Sequence, residues 1–551
     1  MKIPVTKNEV YTVQITDMLS SGEGVAKIDG FAVFVPDTLV AETVKIKIVK
    51  VKKSYAYAKA VEILQTAENR IEPVCPVSEK CGGCSLLHMD YQSQLCLKRN
   101  IVVNALKRIG GLDNVCVEPV IGMKTDDGVP CRYRNKMVFP VGKDKSGNTV
   151  MGFYRPRSHD IVETDDCYLG NKTDIELSKT VVEYMKIKNI KPYSEQTHSG
   201  IVRRVFIRHS KKTKEIMVVV SCNARKLPDA DLLVDMLKKT SDNVSCVILN
   251  VNTDKNNLVL GDKNIVLWGD SVLHDSLCGV DFKISANSFY QVNPVQTEIL
   301  YQTAVNYAGL DKNKTVVDLY CGIGTISLCM ADKCKKVFGI EIVEDAVINA
   351  KSNAELNGIE NAEFYAGAVE KVLPELLKGI DCVDVVVLDP PRKGSDETTL
   401  TAIVNVNPER IVYVSCDPST LARDVKFLTE RGYDVDKVQP VDMFPNTPHV
   451  ETVVLLSQRK PDDRVRVKID LDDYDLTKSE SKATYDEIKE YVFKHSDLKV
   501  SSLNIAQVKQ KYGIIERENY NKAKSADAKQ PQCTKDKEKA IVDALRHFKM
   551  I

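Results

Sequence analysis

The sequence predicts an α/β protein whose main unit is a doubly wound sheet, flanked by a small β-barrel and a helical tail. Three observations carry that prediction. From about residue 290 to 459, short apolar runs alternate with helical periodicity. Before about residue 64, short alternating strands are punctuated by Gly and Asp turns. Beyond Arg459 the apolar runs stop and only helical patterns remain.

Bulk properties narrow the class. A chain of 551 residues is too long for one core. Apolar content of 43% and charged content of 28% describe an ordinary globular protein, and the net charge of +1 makes any nucleic-acid affinity a matter of local patches. No apolar run is long enough to span a bilayer and Met1-Lys2-Ile3-Pro4 is no signal peptide, so a cytoplasmic location is expected. Of the sixteen cysteines, Cys222, Cys246, Cys329, Cys334 and Cys382 stand alone in apolar segments, the ordinary setting of reduced core thiols.

The elements follow in order. Residues 1–64 supply about five strands, the count of an OB-like barrel, a fold that often binds oligonucleotides. Lys45, Lys47, Lys50, Lys52 and Lys53 run into Tyr55 and Tyr57, mixing cations with stacking rings. A lysine-protected edge strand is the plainer reading of that run. Residues 65–288 begin with a cysteine-rich hinge and continue with strand-like stretches. Two of these are basic, Cys131–Lys136 and Arg203–Arg208, and their recurrence favours RNA contact. Residues 289–460 hold the strands Thr315–Leu319, Lys335–Ile340, Val383–Leu388, Arg410–Val414 and Glu451–Ser457, with Asp345–Leu356 an amphipathic helix. Residues 461–551 open on a linker, Pro461-Asp462-Asp463-Arg464, with helices expected at Tyr485–Phe493, Ile505–Lys511 and Lys537–Phe548 and loops at 516–522 and 525–535.

Three segments of the main unit form a cofactor pattern. Val317–Leu328 reads strand, glycine turn, helix, with Gly322 and Gly324 admitting a ligand to the backbone; Ser327 stands where the dinucleotide fingerprint needs its third glycine. The next strand ends at Glu341, an acid placed for ribose hydroxyls, and Asp389-Pro390-Pro391-Arg392 follows a later strand. Together they suit an adenosine-bearing ligand such as S-adenosylmethionine.

Ser415-Cys416-Asp417-Pro418 presents a thiol on a turn after an apolar strand, and the helix start that follows is expected to lower its pKa. Taken alone, Cys416 reads as a structural thiol and Glu451, at the start of the last strand, as a surface acid. Beside a methyl-donor site they acquire a joint purpose. Uracil C5 is a poor nucleophile until a thiolate adds at C6, and a base must then remove the C5 proton before the thiolate leaves. Cys416 is therefore the expected nucleophile and Glu451 the expected proton acceptor.

Cys75-x5-Cys81-Gly82-Gly83-Cys84, with Cys167 far downstream, supplies four thiolates suited to tetrahedral zinc or an iron–sulfur cluster. Spacing does not decide between them, and Cys81-Gly-Gly-Cys84 is also a possible redox pair.

These motifs make the chain similar to the bacterial 23S rRNA (uracil-5)-methyltransferases of the RumA/RlmD type, over roughly residues 1–459. The resemblance implies a TRAM barrel, a central α+β domain holding a [4Fe-4S] cluster on Cys75, Cys81, Cys84 and Cys167, and a class I (Rossmann-like) S-adenosylmethionine-dependent methyltransferase domain. Phe289-Tyr290-Gln291-Val292-Asn293-Pro294 matches the family's motif and implies that Gln291 contacts the methyl donor, with Tyr320, Glu341 and Asp389. It also implies Cys416 as nucleophile, Glu451 as base and 23S rRNA as partner, with no membrane or obligate protein partner. The appendage after Arg459 is a departure from the better-known members. The tRNA T-loop is the nearest alternative target; bacterial tRNA enzymes of this chemistry lack the barrel and the cluster. An amine methyltransferase would need neither Cys416 nor Glu451, and a non-enzymatic RNA-binding protein would not keep the whole set.

Overall fold

The computed structural model describes residues 3–125, 130–380, 382–459, 484–512, 514, 533–548 and 550–551. The chain divides into two compact units, residues 1–460 and 461–551. Counts below refer to the described residues.

The first unit begins with a six-stranded sheet: β1 (Val10–Gln14), β2 (Asp17–Met18), β3 (Gly24–Ile28), β4 (Phe31–Val35), β5 (Thr43–Val51) and β6 (Tyr55–Gln65), in the order β1-β5-β6-β4-β3-β2. Strict alternation builds it. Val44, Ile46 and Ile48 of β5 are fully buried with Val33, Val35 and Ala26, while Lys45 and Lys47 between them point away. β1 packs back against β3, curling the sheet.

After a loop carrying Cys75, Cys81 and Cys84, α1 (Tyr91–Arg108) starts on Asp90, whose carboxylate accepts from Ser93 N. The central sheet is built from β7 (Lys136–Lys143), β8 (Thr149–Met151), β11 (Val202–His209), β12 (Ile216–Cys222), β13 (Val244–Val251) and β14 (Lys263–Gly269), in the order β14-β13-β12-β11-β7-β8. A small hairpin, β9 (Phe153–Tyr154) and β10 (Ile161–Val162), sits between β8 and α2 (Lys172–Ile187) in the chain. With α3 (Ala230–Thr240), α2 covers one face of the central sheet, burying Tyr184, Met185, Leu233 and Leu237.

The expectation of an RNA-facing basic strand at Arg203–Arg208 fails here. Arg203, Arg204 and Arg208 are all buried in β11. Arg203 donates to the carbonyls of Asn252, Asp254 and Asn256, Arg204 to that of Leu258, and Arg208 to those of Ser285 and Ser288. Loops that lack a backbone ladder borrow guanidinium donors instead, so these cations are consumed inside the protein.

A hairpin of β15 (Val272–Leu277) and β16 (Val280–Ser285) leads to α4 (Pro294–Ala308). The main sheet then forms from β17 (Thr315–Leu319), β18 (Lys336–Glu341), β19 (Ala362–Ala366), β20 (Val385–Leu388), β21 (Arg410–Ser415), β22 (Tyr433–Val441) and β23 (Glu451–Gln458). Its order is β19-β18-β17-β20-β21-β23-β22, parallel except that β23 runs antiparallel to both neighbours. The connections include α5 (Thr325–Ala331), α6 (Glu344–Leu356), α7 (Val369–Leu376), α8 (Glu397–Val406) and α9 (Pro418–Thr429). α1 joins this sheet's core, burying Val102 and Leu106 with Leu421, Val425 and Tyr433.

The second unit holds α10 (Tyr485–Ser496), α11 (Ser502–Lys511) and α12 (Lys535–His547) around Ile488, Val492, Ile505, Val508, Ile541 and Leu545. The three helices lie at the predicted places. Thr484 with Glu487 and Ser501 with Asn504 form capping boxes that start the first two. The linker at 461–464 and the loop at 516–522 fall outside the described residues, as does 525–535 up to residue 532.

Candidate active site

The parallel strands end on one edge of the main sheet, the edge where open α/β sheets take ligands. After β17 the chain turns through Tyr320, whose φ of 64° is left-handed and unusual for a bulky side chain. Its hydroxyl shares a 3.1 Å hydrogen bond with Ser395 Oγ. Gly322 follows at φ 56°, and a Cβ there would meet no atom within 4 Å, so open space lies directly over the backbone. Glu341, the last residue of β18, accepts from Gly322 N at 3.1 Å and from Val343 N at 3.0 Å. The acid thus braces the glycine turn.

Ser327 explains the missing third glycine: its hydroxyl donates to the buried Asp318. Asp318 escaped the sequence reading. Its other carboxylate oxygen is buried without a partner, and burial pushes the carboxyl up to about 7. An acid inside an apolar strand four residues before a glycine turn is the signal that would have found it.

Gln291 is buried on the segment before α4. That segment is tied on both sides: Asn135 donates from Nδ2 to Gln291 O at 3.1 Å and from its backbone N to Val292 O at 2.9 Å. Asn293 caps α4 and donates to Met443 O. Two residues before Gln291, Phe289 stands 68% exposed, a ring free for stacking that the sequence reading did not single out.

Strand register brings Cys416 and Glu451 together. Ser415 lies opposite Thr452 across the β21–β23 pair, so the next residue on one strand and the preceding residue on the other, Cys416 and Glu451, lie side by side at the same end. Asp389 leaves the adjacent β20, where Leu388 is paired with Tyr413. The three groups sense one another. Burial pushes the Cys416 thiol up to about 11, reinforced by the Glu451 and Asp389 carboxylates and opposed by Arg392. Glu451 is also held above the usual carboxylate range by burial and then by Asp389, with Arg392 again opposing.

The expectation that a helix start lowers the thiol's pKa is overturned. Asp417 intervenes as the N-cap of α9 and its carboxylate accepts from Ser419 N and Thr420 N. The helix's free donors are taken before they reach the sulfur.

The four predicted metal-binding cysteines share one cavity. Cys75, Cys81, Cys84 and Cys167 line it with Arg134 and Asn446, and Cys84 feels the charge of the other three. Arg132 fixes the Cys167 loop by donating to Asp166, Cys167 O and Gly170 O. Among the described residues no three His, Cys, Asp or Glu side chains converge closely enough to hold a single metal ion.

On the barrel, Tyr55 packs with Phe34 and Tyr57, ring centroids 5.2 and 5.5 Å away. Arg157 lies over Tyr57 at 5.1 Å, so part of the aromatic patch is already engaged within the protein.

A glycine turn braced by an acid, a proline-locked carboxylate and a thiol meet at one sheet edge, the arrangement that an S-adenosylmethionine-dependent methyltransferase fold calls for. Comparison with known proteins sharpens this. Residues 210–459 match the tRNA (uracil-5-)-methyltransferase family model and residues 4–61 match the TRAM domain. The chain is 45% identical over 453 residues to an uncharacterized RNA methyltransferase of Halalkalibacterium halodurans, covering 82% of this chain and 98% of that one. A Clostridium tetani protein, also named an uncharacterized RNA methyltransferase, is 46% identical over 456 residues, covering 83% and 98%. The crystal structure of Pyrococcus abyssi tRNA (uracil-54, C5)-methyltransferase in complex with S-adenosyl-L-homocysteine is similar at a TM-score of 0.65 and 27% identity, covering 81% of this chain and all of that one. The chain belongs to the family of S-adenosylmethionine-dependent RNA (uracil-5-)-methyltransferases with a TRAM domain. It is an RNA methyltransferase, and no described helix is long and apolar enough to cross a membrane.

Proposed function

We propose that this chain methylates C5 of a uridine in 23S rRNA through a covalent adduct on Cys416. The observation that carries the reading is the register that sets Cys416 beside Glu451 at the sheet edge, next to Asp389. The Cys416 thiol gives its proton to solvent and the thiolate bonds to C6, moving the ring's π electrons so that C5 becomes nucleophilic. C5 takes the methyl carbon as the sulfonium–carbon bond breaks, leaving a thioether. Glu451 removes the C5 proton, the C5–C6 double bond reforms and the thiolate departs. Gln291, Tyr320, Glu341 and Asp389 bind the methyl donor. Its sulfonium charge, held near these acids, would offset part of the burial and carboxylate repulsion that keep the Cys416 thiol protonated.

The barrel with its lysines and rings supplies RNA affinity, which is electrostatic and salt-sensitive. The target base must leave its stack to reach a recessed thiol, at a cost of a few kcal/mol. Cys75, Cys81, Cys84 and Cys167 hold a [4Fe-4S] cluster that fixes the central region; iron and acid-labile sulfide should co-purify with the chain, and a Cys84→Ser variant that kept full iron content would overturn the assignment. The tRNA T-loop is the second reading, favoured by the similarity to the Pyrococcus abyssi tRNA (uracil-54, C5)-methyltransferase.

The decisive experiment is mass-spectrometric mapping of 5-methyluridine in rRNA and tRNA from cells with and without the chain. Loss confined to 23S rRNA is the expected result. Loss in the tRNA T-loop would keep the chemistry and overturn the target. In the same cells Cys416→Ala should restore none of the lost methyl groups, and substantial residual methylation would sink the covalent route.

A further inference from the structure

The loop between β22 and β23 ends on Glu451, and its first five residues are all held by side chains from elsewhere in the chain. Asp442 accepts from Tyr91 Oη at 2.9 Å and is paired with Lys98, both charged side chains being fully buried. Lys98 also donates to Phe444 O at 3.0 Å. Gln296 donates to Asp442 O, Asn293 to Met443 O and Tyr133 to Pro445 O. Asn446, left-handed at φ 65°, donates from its backbone N to Gln94 Oε1 at 2.9 Å and from Nδ2 to Pro130 O at 2.9 Å.

Three of those holders, Tyr91, Gln94 and Lys98, sit at i, i+3 and i+7 of α1 and so share one face of that helix. Gln94 also reaches Leu86 O and Met89 O, which ties the same point to the end of the cysteine-rich loop. Val441, immediately before the loop, lies directly opposite Glu451 in the β22–β23 pair. The loop's ends are therefore the two members of one cross-strand pair, and whatever fixes the loop fixes where Glu451 begins.

A buried Lys–Asp pair is a poor way to gain stability, because desolvating two charges offsets most of their attraction. It is a good way to fix geometry, since each lost bond leaves a buried group unsatisfied. We propose that Tyr91, Gln94 and Lys98 are positioning residues for proton removal: α1 clamps the Asp442–Asn446 loop and thereby aims Glu451 at C5 of the methylated ring. This rests on the covalent reading above. It adds a role for a helix that contributes no residue to the cofactor pattern.

The clamp acts after methyl transfer, so its loss has a distinct signature. Cys416 and the methyl donor are untouched, the adduct forms, and the C5 proton then leaves slowly. The test uses the full chain with S-adenosylmethionine and unmethylated total RNA from cells lacking this protein. The variants are Gln94→Met, the charge-neutral pair Lys98→Met with Asp442→Asn, and Tyr91→Phe, which removes one hydroxyl and keeps the ring. Each is scored for protein–RNA adduct surviving a denaturing gel, for first-turnover methyl transfer and for Tm. A misplaced base costs on the order of 100-fold in its step, so adduct should rise at least about tenfold while first-turnover transfer stays within about threefold.

Turnover that falls only in step with the folded fraction, with no extra adduct, would overturn the clamp. Glu451→Gln serves as reference. If it traps adduct and the α1 variants do not, the clamp alone fails; if it traps none, the covalent reading fails first.

Discussion

Cys416 meets two carboxylates and one guanidinium, and that balance sets its chemistry. Burial raises the thiol most, Glu451 and Asp389 add to that, and Arg392 opposes them. Both groups are held protonated more readily than usual, and on the proposed route the thiol must lose its proton to attack and Glu451 must be ionised to accept one. Activity should therefore climb with pH from the mildly acidic range through neutrality and beyond, with no descending limb until another group intervenes. A pH–rate profile that fell between neutral and mildly alkaline conditions would contradict this. Removing the Glu451 charge by Glu451→Gln should let the Cys416 thiol ionise at lower pH. Mass-spectrometric measurement of Cys416 alkylation against pH checks that shift, and an unchanged curve would show that the two groups do not sense each other.

At the scale of elements, the sequence signals were strongest where a strand was fully buried. β17, β20 and β21 read as apolar runs because both faces pack against core. β19 and β22 went unseen. They are the two edges of the sheet, where Ala362–Ala366 buries one residue fully and Tyr433–Val441 carries charges and Pro440. The arginines of β11 were legible as basic and misleading as to purpose, since composition does not separate a cation facing solvent from one that holds carbonyls. Arg203→Met should lower stability on the order of 3 kcal/mol, by leaving buried carbonyls unpartnered, and should leave the salt dependence of RNA binding unchanged. A weakened salt slope with an unchanged Tm would restore the RNA-facing reading.

At the scale of the molecule, residues 1–460 and 461–551 are separate compact units, and each carries its own core. Deleting residues 461–551 should leave a soluble chain whose Tm and methyl transfer match the intact protein on short RNA. Aggregation of the truncated chain would show that the two units share a core. The α1 helix belongs to the opposite case. It lies early in the chain yet packs into the core of the main sheet, and Lys98 meets Asp442 across 344 positions of sequence.

By itself the sequence determined what depends on neighbours along the chain. The strand–turn segments that end in Gly322, Asp389 and Cys416 were legible because apolar runs, glycines and prolines act on the backbone within a few residues. The three tail helices were legible from periodicity alone. Only the tertiary structure decided what depends on partners from other segments: the raised thiol, the buried arginines and the clamp on Glu451. The reason is physical. A side chain's protonation and purpose are set by what surrounds it in space, and here those surroundings come from separate strands and, for the loop before Glu451, from a helix residue 344 positions away.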